Sequence, residues 1–266
     1  MAFEPKRSKA MLEDDYTDVI RKASVGLGLT EAELMAQVGV DVTTWQSLLA
    51  GDFVKELAMR IAEILELRVD AFTTHPIYHP KPVEVAGITQ IELPFGQWSV
   101  NAWWIERGAT RLLFDAGTGP EDVVEAMPAL PKDLLITHGH HDHVGGVEVL
   151  LGKGVAVHGA EFSSNRRVRV GDFMDFGDIK LRVCDLSGHY VPSVGYHVQG
   201  LEKPVLVVGD ALFAGSIGKT ADPEHYKLAR HTLMQALKGL SDDTVLLPGH
   251  GPATTVGEER KRNPFL

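Results

Sequence analysis

From Thr137 to Gly146 the chain reads Thr-His-Gly-His-His-Asp-His-Val-Gly-Gly, so four histidines and one aspartate fall within the six residues 138–143. Imidazole is the commonest metal ligand in proteins and is largely neutral near pH 7. An aspartate adds a hard anionic oxygen, so the mixed set suits zinc, iron or manganese better than magnesium or calcium. The apolar run Leu134-Leu135-Ile136 just before it reads as a buried strand. His138 and His140, one residue apart on an extended segment, can grip a first ion, and Asp142 and His143 in the following turn can face a second. His141 reads as a rim residue.

Three further candidates lie downstream, each where an apolar run gives way to a glycine-containing turn. They are His189 in Leu186-Ser187-Gly188-His189-Tyr190, Asp210 after Val205-Leu206-Val207-Val208-Gly209, and His250 after Val245-Leu246-Leu247-Pro248-Gly249. The repetition has a physical use. A strand fixes direction, the glycine permits close backbone approach or a positive φ, and the ligand projects into a cleft shared by the strand ends.

The elements that would position these residues begin after a change of composition. His79-Pro80-Lys81-Pro82 reads as a linker over 76–82, with His75 and His79 on its surface, because its prolines cannot continue a helix. Beyond it, strands are expected at Val85–Leu93, Val100–Glu106, Arg111–Phe114, Leu134–Thr137, Val155–His158, Val168–Met174, Ile179–Leu186, Val194–Val198, Val205–Val208 and Thr244–Leu247. Helices are expected at Pro120–Met127, Val144–Leu151 and Pro223–Leu240. Strands interleaved with helices point to an α/β layered domain over residues 83–266. Alternation in Val100–Glu106 places one of Trp103 and Trp104 in the core.

Residues 1–75 carry apolar positions at helical spacing, with Thr30 and Glu33 as a capping box and Asp41 as a second cap, so four or five short helices are expected. The run Leu29–Val40 with Trp45, Gly51 and Ile61–Leu65 resembles the helix-turn-helix of phage repressors and Cro. The helix that would enter a groove, Val42–Ala50, has no Lys or Arg, and residues 1–75 hold 8 basic against 13 acidic side chains. Phosphate contacts need clustered basic residues, so DNA is not the expected partner, and a helical packing or dimerisation module, open to homodimer formation, is the better reading.

Taken together, the order HxHxDH, GH, GD, GHG resembles the metallo-β-lactamase fold of metal-dependent hydrolases, across roughly residues 83–266. The endings Pro248–Thr255 and Asn263–Leu266, and the segment Gly209–Thr220, are similar to the glyoxalase II-like branch. The resemblance implies an αββα sandwich preceded by the small all-α domain. It implies two divalent ions, zinc first with iron or manganese as alternatives, one on His138, His140 and His189 and the other on Asp142, His143 and His250, with Asp210 bridging. It further implies a bridging hydroxide, oriented by Asp142 and Asp210, that cleaves a small thioester or related ester. Asp115, in Leu113-Phe114-Asp115-Ala116-Gly117, matches the family's upstream Asp-x-Gly element and is expected to support a ligand or its loop.

Substrate contacts expected from the sequence are Trp98 with Phe95 as an apolar wall, Tyr190 beside a ligand, and Lys219 as partner for a carboxylate. Where the family often has Gly-His-Thr-Pro-Gly-Ser, this chain has Gly188-His189-Tyr190-Val191-Pro192-Ser193. Two other readings compete: a mononuclear-iron persulfide dioxygenase, and a DNA-binding regulator with a metal-sensing domain. The chain has 266 residues, 44% of them hydrophobic, one cysteine and a formal charge of −10. These numbers allow a large core, exclude an internal disulfide, and with no apolar block in Met1–Tyr16 and no membrane span lead to the expectation of a cytoplasmic enzyme.

Overall fold

A computed structural model describes residues 12–160 and 166–266; Met1–Met11, which hold most of the charged start weighed above, lie outside the described residues. Among the described residues, two six-stranded sheets carry the segments that hold the candidate ligands. The first holds β1 (Ile88–Phe95), β2 (Trp98–Arg107), β3 (Thr110–Phe114), β4 (Asp133–Leu135), β5 (Ala156–Gly159) and β6 (Arg166–Arg167), adjacent in that order. The second holds β7 (Phe173–Asp175), β8 (Lys180–Asp185), β9 (Val194–Gln199), β10 (Val205–Gly209), β11 (Val245–Pro248) and β12 (Thr254–Thr255), again in sequence order.

Burial divides the sandwich into layers. Between the sheets, Trp103, Phe114, Leu135, Leu181, Tyr196, Val207 and Leu247 form one apolar cluster. On the far face of the first sheet, Ile91, Val100, Trp104 and Leu134 pack under α6 (Asp122–Ala126) and α8 (Val147–Gly152), with the one-turn α7 (His141–Val144) between them in sequence. On the far face of the second sheet, Leu206, Val208 and Leu246 pack under α9 (Pro223–Leu237) and α10 (Val256–Arg262). Both Trp103 and Trp104 are therefore buried, not one of them. Alternation assigns them to opposite faces correctly, but both faces of this sheet are covered.

Among the described residues, the N-terminal segment forms five helices, α1 (Tyr16–Leu27), α2 (Glu31–Val38), α3 (Val42–Leu49), α4 (Lys55–Ile64) and α5 (Val69–Thr73). The expected caps are present: Thr30 and Glu33 exchange hydrogen bonds across the first turn of α2, and Asp41 accepts from the Thr44 amide. Val19, Ile20, Leu34, Trp45, Leu57, Ile61 and Phe72 fill one cluster that continues without a break into Leu206, Leu212, Tyr226, Leu233 and Phe265. Gly26 sits so close to the Tyr226 ring that a Cβ there would fall 2.3 Å from it, so α1 and α9 meet almost backbone to ring. Among the described residues no helix is long and apolar enough to cross a membrane.

Three expectations need correction. The 76–82 stretch is not a surface linker throughout: His75–Ile77 form a 3-10 turn, and His75 and Tyr78 are buried, although His79 is exposed. Prolines stopped the helix as expected, but Tyr78 reaches Glu259 and the His75 ring reaches the Gly215 carbonyl, which draws the segment onto the sandwich. Val168–Met174 is not one strand; only its Phe173 and Met174 pair, within Phe173–Asp175, and Arg166–Arg167 just before it joins the other sheet. Val144–Leu151 is not one helix, because Gly145 and Gly146 lie against the carbonyls of Thr118 and Ala116.

His75 gives the fold a measurable pH signature. Burial pushes its pKa below the ordinary 6.5, against the pull of the Gly215 carbonyl and the Asp14, Asp15 and Asp18 carboxylates. The unfolded chain therefore takes up this proton more readily than the folded one. The contribution to stability is complete above about pH 6.5 and is lost as pH falls through that value toward the lower folded pKa. Substituting His75→Gln, which keeps a donor for Gly215, is expected to flatten the fall in denaturant stability of metal-stripped protein below pH 6.5. An unchanged slope would show that His75 does not contribute.

Candidate metal centre

The ligand segments converge because four strands end at the same side. β4 leads into residues 137–143, β8 into His189, β10 into Asp210 and β11 into His250, with β10 and β11 parallel. Cross-links tie these ends together: the Val194 amide donates to the Thr137 carbonyl (2.9 Å), the Asn101 amide to Gly249 (2.7 Å), and the Gly249 amide to Gly209 (2.9 Å). Gly249 is demanded by proximity, since a Cβ there would lie 2.1 Å from Asp210 Oδ1 and 2.6 Å from the His143 ring.

Two groups of side chains result. His138, His140, His189 and Asp210 bring one ligand atom each to within 4.8 Å of one another, and Asp142, His143 and His250 do the same. His140 Nδ1 lies 3.1 Å from His138 Nε2 and 2.9 Å from His189 Nε2. A four-coordinate ion with bonds of about 2.0–2.1 Å holds neighbouring nitrogens about 3.3 Å apart, so three imidazoles turned toward one point at these spacings fit a cation. Asp210 touches both groups: Oδ2 is 3.5 Å from His189 Nε2 and 3.5 Å from His250 Nε2, and Oδ1 is 3.3 Å from His143 Nε2. Asp142 Oδ2 lies 3.2 Å from His250 Nε2.

His143 Nε2 and Asp210 Oδ1 are buried and make no hydrogen bond despite their 3.3 Å separation. Buried polar atoms are rarely left so, and an ion between them would satisfy both. The donor set and these orphaned atoms fit a pair of divalent cations.

The electrostatics agree. Burial holds His138 and His189 below the ordinary histidine value, in the neutral form that can donate a lone pair. Burial opposes protonation of His143 too, but Asp210 and Asp115 overcome it and push its pKa up to about 10. His250 is raised well above its ordinary value against burial by Asp210 and Asp142, and Asp210 is held well below the carboxylate range against burial by His250 and His143. Without metal, protons on these rings supply the positive charge that a buried carboxylate requires; a cation would supply it instead.

Four of the five candidate ligand rings are fixed from behind, which sets their tautomer and orientation. His189 Nδ1 donates to the Lys219 carbonyl (2.6 Å), His250 Nδ1 to the Ser99 carbonyl (2.7 Å), and His143 Nδ1 to Asp115 Oδ2 (2.9 Å). Asp115 Oδ2 also accepts from the Thr137 hydroxyl (2.8 Å), whose oxygen lies 3.0 Å from His138 Nδ1, and Asp115 Oδ1 accepts from the Thr137 amide (2.8 Å). One carboxylate thus orients a ring in each group. Asp115 holds a positive φ of 58°, a conformation uncommon outside glycine, while serving that contact. As supports, the sequence pointed to Asp115 but not to Thr137, Ser99 or the Lys219 carbonyl; a hydroxyl residue wedged between the end of an apolar strand and the first candidate ligand was the available signal for Thr137.

Other expected residues fall around the cleft. Tyr190 packs its ring 4.8 Å from that of His140 and 5.7 Å from that of His138, between centroids. Phe95 and Trp98 face each other at the tip of the β1–β2 hairpin, both exposed, with the Phe95 ring 6.0 Å from His250. His141 faces solvent at the start of α7. The Lys219 side chain is exposed, and its carbonyl serves His189. Cys184 lies in β8, where burial pushes its thiol up to about 12 and away from nucleophile chemistry.

Residues 95–162 match the Metallo-beta-lactamase superfamily model. An uncharacterized protein of Mycobacterium tuberculosis (strain ATCC 25618 / H37Rv) is 31% identical over 214 residues, covering 65% of this chain and 95% of its own. This chain belongs to the metallo-beta-lactamase superfamily. Hydroxyacylglutathione hydrolase GloC of Haemophilus influenzae (strain ATCC 51907 / DSM 11121 / KW20 / Rd) is 29% identical over 194 residues, 62% of this chain and 90% of that protein. Among solved structures, TTHA1623 in a di-iron-bound form shares 28% identity at a TM-score of 0.51, covering 66% of this chain and 99% of its own. ETHE1 from Myxococcus xanthus shares the fold at a TM-score of 0.54 and 23% identity, over 66% of this chain and 83% of its own. The superfamily membership suggests a metal-dependent hydrolase, and the two His/Asp groups could hold its ions.

Asp115→Asn tests the support behind the ligands. The amide would turn an N–H toward His143 Nδ1–H, and metal affinity measured against a chromogenic chelator is expected to fall about 10- to 100-fold. Unaltered affinity would mean that Asp115 only shapes its turn.

Proposed function

We propose that this protein is a dinuclear metallohydrolase that cleaves a small thioester or related ester, with a glyoxalase II-like hydroxyacyl thioester as the favoured substrate class. The observation that carries the reading is Asp210, whose two oxygens lie within 3.5 Å of ring nitrogens from both ligand groups. The identity to a hydroxyacylglutathione hydrolase supports the thioester, and the likeness to a di-iron protein supports two ions. When bound, divalent cations supply Lewis acidity and lower the pKa of a coordinated water toward about 7.

The chain's own residues would do the rest. His138, His140 and His189 hold one ion, Asp142, His143 and His250 the other, and Asp210 is shared. Free carboxylate lone pairs on Asp142 and Asp210 accept hydrogen bonds from the attacking water and aim it at the carbonyl carbon. Phe95 and Trp98 offer an apolar wall for the acyl or thiol portion, and Tyr190 closes the His140 side. No serine or cysteine is needed as nucleophile, and the raised Cys184 thiol is unsuited to that role.

Persulfide dioxygenation on one iron is the competing chemistry, and the likeness to ETHE1 brings it forward. It would use the first group alone and leave Asp142, His143 and His250 assembled without a task, so the intact second group favours hydrolysis. A DNA-reading role finds less support, because the exposed residues of α3 include Val42, Thr43, Gln46 and Leu49 and no cation.

The test is metal analysis of protein purified without added metal, then a screen of thioesters, lactones, β-lactams and phosphodiesters, with oxygen uptake on glutathione persulfide as a parallel arm. About two ions per chain and thioester hydrolysis, reduced more than about 100-fold by His189→Ala, are expected, a loss beyond the range typical of residues behind the ligands. Less than one ion per chain with no hydrolysis after zinc, iron or manganese addition, or oxygen uptake alone, would reject the proposal.

A further inference from the structure

Between the shared carboxylate of Asp210 and the carbonyl of Lys219 that orients His189, the chain runs through Ala211–Gly218 with almost no regular structure, only a bridge between Phe213 and Ser216. Such a segment has little internal reason to hold one shape, yet every residue of it is buried. Beyond that bridge, several of its peptide groups are satisfied from outside. Glu259 accepts from the Gly215 amide (2.9 Å), Asn263 donates to the Ser216 carbonyl (2.8 Å), and His75 donates to the Gly215 carbonyl (3.1 Å).

The contact nearest to Lys219 comes from the N-terminal helices. Lys22 of α1 donates from Nζ to the Ile217 carbonyl (2.7 Å) and pairs with Asp14. Its side chain is only 13% exposed and that of Asp14 only 10%, so this is a sequestered pair and not a mobile surface one. The same ammonium stands 4.9 Å from the centroid of the Phe213 ring, and Phe213 meets the His250 ring edge-on at 5.6 Å. One cation therefore touches both ends of the segment that separates Asp210 from Lys219, and through Phe213 it reaches a ring of the second ligand group.

We infer that Lys22 is a positioning residue for the metal centre: by holding the Ile217 carbonyl and the Phe213 ring, it fixes the segment that places Asp210 between the two ligand groups and Lys219 behind His189. The N-terminal helices are, on this account, a brace for the metal site. Charge alone does not explain the arrangement, because an ammonium taken out of water needs both the carboxylate and the carbonyl to offset its desolvation. Losing it would leave the buried Ile217 carbonyl with only the long contact from the Ser216 hydroxyl (3.4 Å) and let the segment relax toward Lys219. The inference rests on the reading of the two groups as metal sites.

The experiment compares full-length wild type, Lys22→Met, Lys22→Arg and Asp14→Asn by metal retained per chain across a chelator titration, with unfolding of the metal-stripped proteins followed in parallel. Lys22→Met is expected to release metal at about tenfold lower chelator concentration, Lys22→Arg to return to within about threefold of wild type, and Asp14→Asn to shift in the same direction by less. If Lys22→Met is not folded when stripped, the Asp14→Asn shift decides. Retention equal to wild type in folded Lys22→Met and Asp14→Asn, or no recovery in Lys22→Arg, would overturn the brace. Wild type that binds no metal would instead reject the underlying metal-site reading, so the two failures are distinguishable.

Discussion

A buried carboxylate sets the terms for this structure. Asp210 is only 5% exposed, and a carboxylate cannot stay ionised there without positive charge or donors close by. Three imidazoles stand within 3.5 Å of its oxygens, and Gly249 lies so near that no larger residue would leave room. The sandwich solves a convergence problem around this group. Strand ends from both sheets must meet at one point, and the cross-links from Val194 to Thr137 and from Asn101 to Gly249 hold them there.

The residues of the two His/Asp groups were legible in the sequence because each follows the same local grammar of apolar strand, glycine and candidate ligand. That grammar is local, and local signals survive in a single sequence. The layered α/β class was legible for a related reason, since strand and helix periodicities alternate over most of residues 83–266. Asp115 was legible from its turn. What it does there, orienting His143 directly and His138 through Thr137, depends on residues more than twenty positions away and could be seen only in space.

The misreadings have a common cause. His75, the 76–82 stretch that holds Tyr78, and the Trp103/Trp104 pair were judged from their neighbours in sequence, whereas the burial of His75, Tyr78 and Trp103 is imposed by distant partners: Gly215, Glu259 and the second sheet. Backbone carbonyls are invisible to motif reading altogether, so the supports that Lys219 and Ser99 give to His189 and His250 had no signal. The helix-turn-helix pattern in residues 29–65 was a reading of helix spacing. The apolar cluster that joins these helices to α9 and the back of the second sheet adds what spacing alone cannot: these helices share a core with the layer behind the metal groups.

Sharing of Asp210 between two ions is the claim on which the chemical account stands, and anomalous diffraction from a crystal of the metal-loaded protein tests it most directly. Two anomalous peaks about 3.5–4 Å apart, one on His138, His140 and His189, the other on Asp142, His143 and His250, with Asp210 between them, is the predicted result. A single peak confined to one group, or peaks that leave Asp210 uncoordinated, would contradict it.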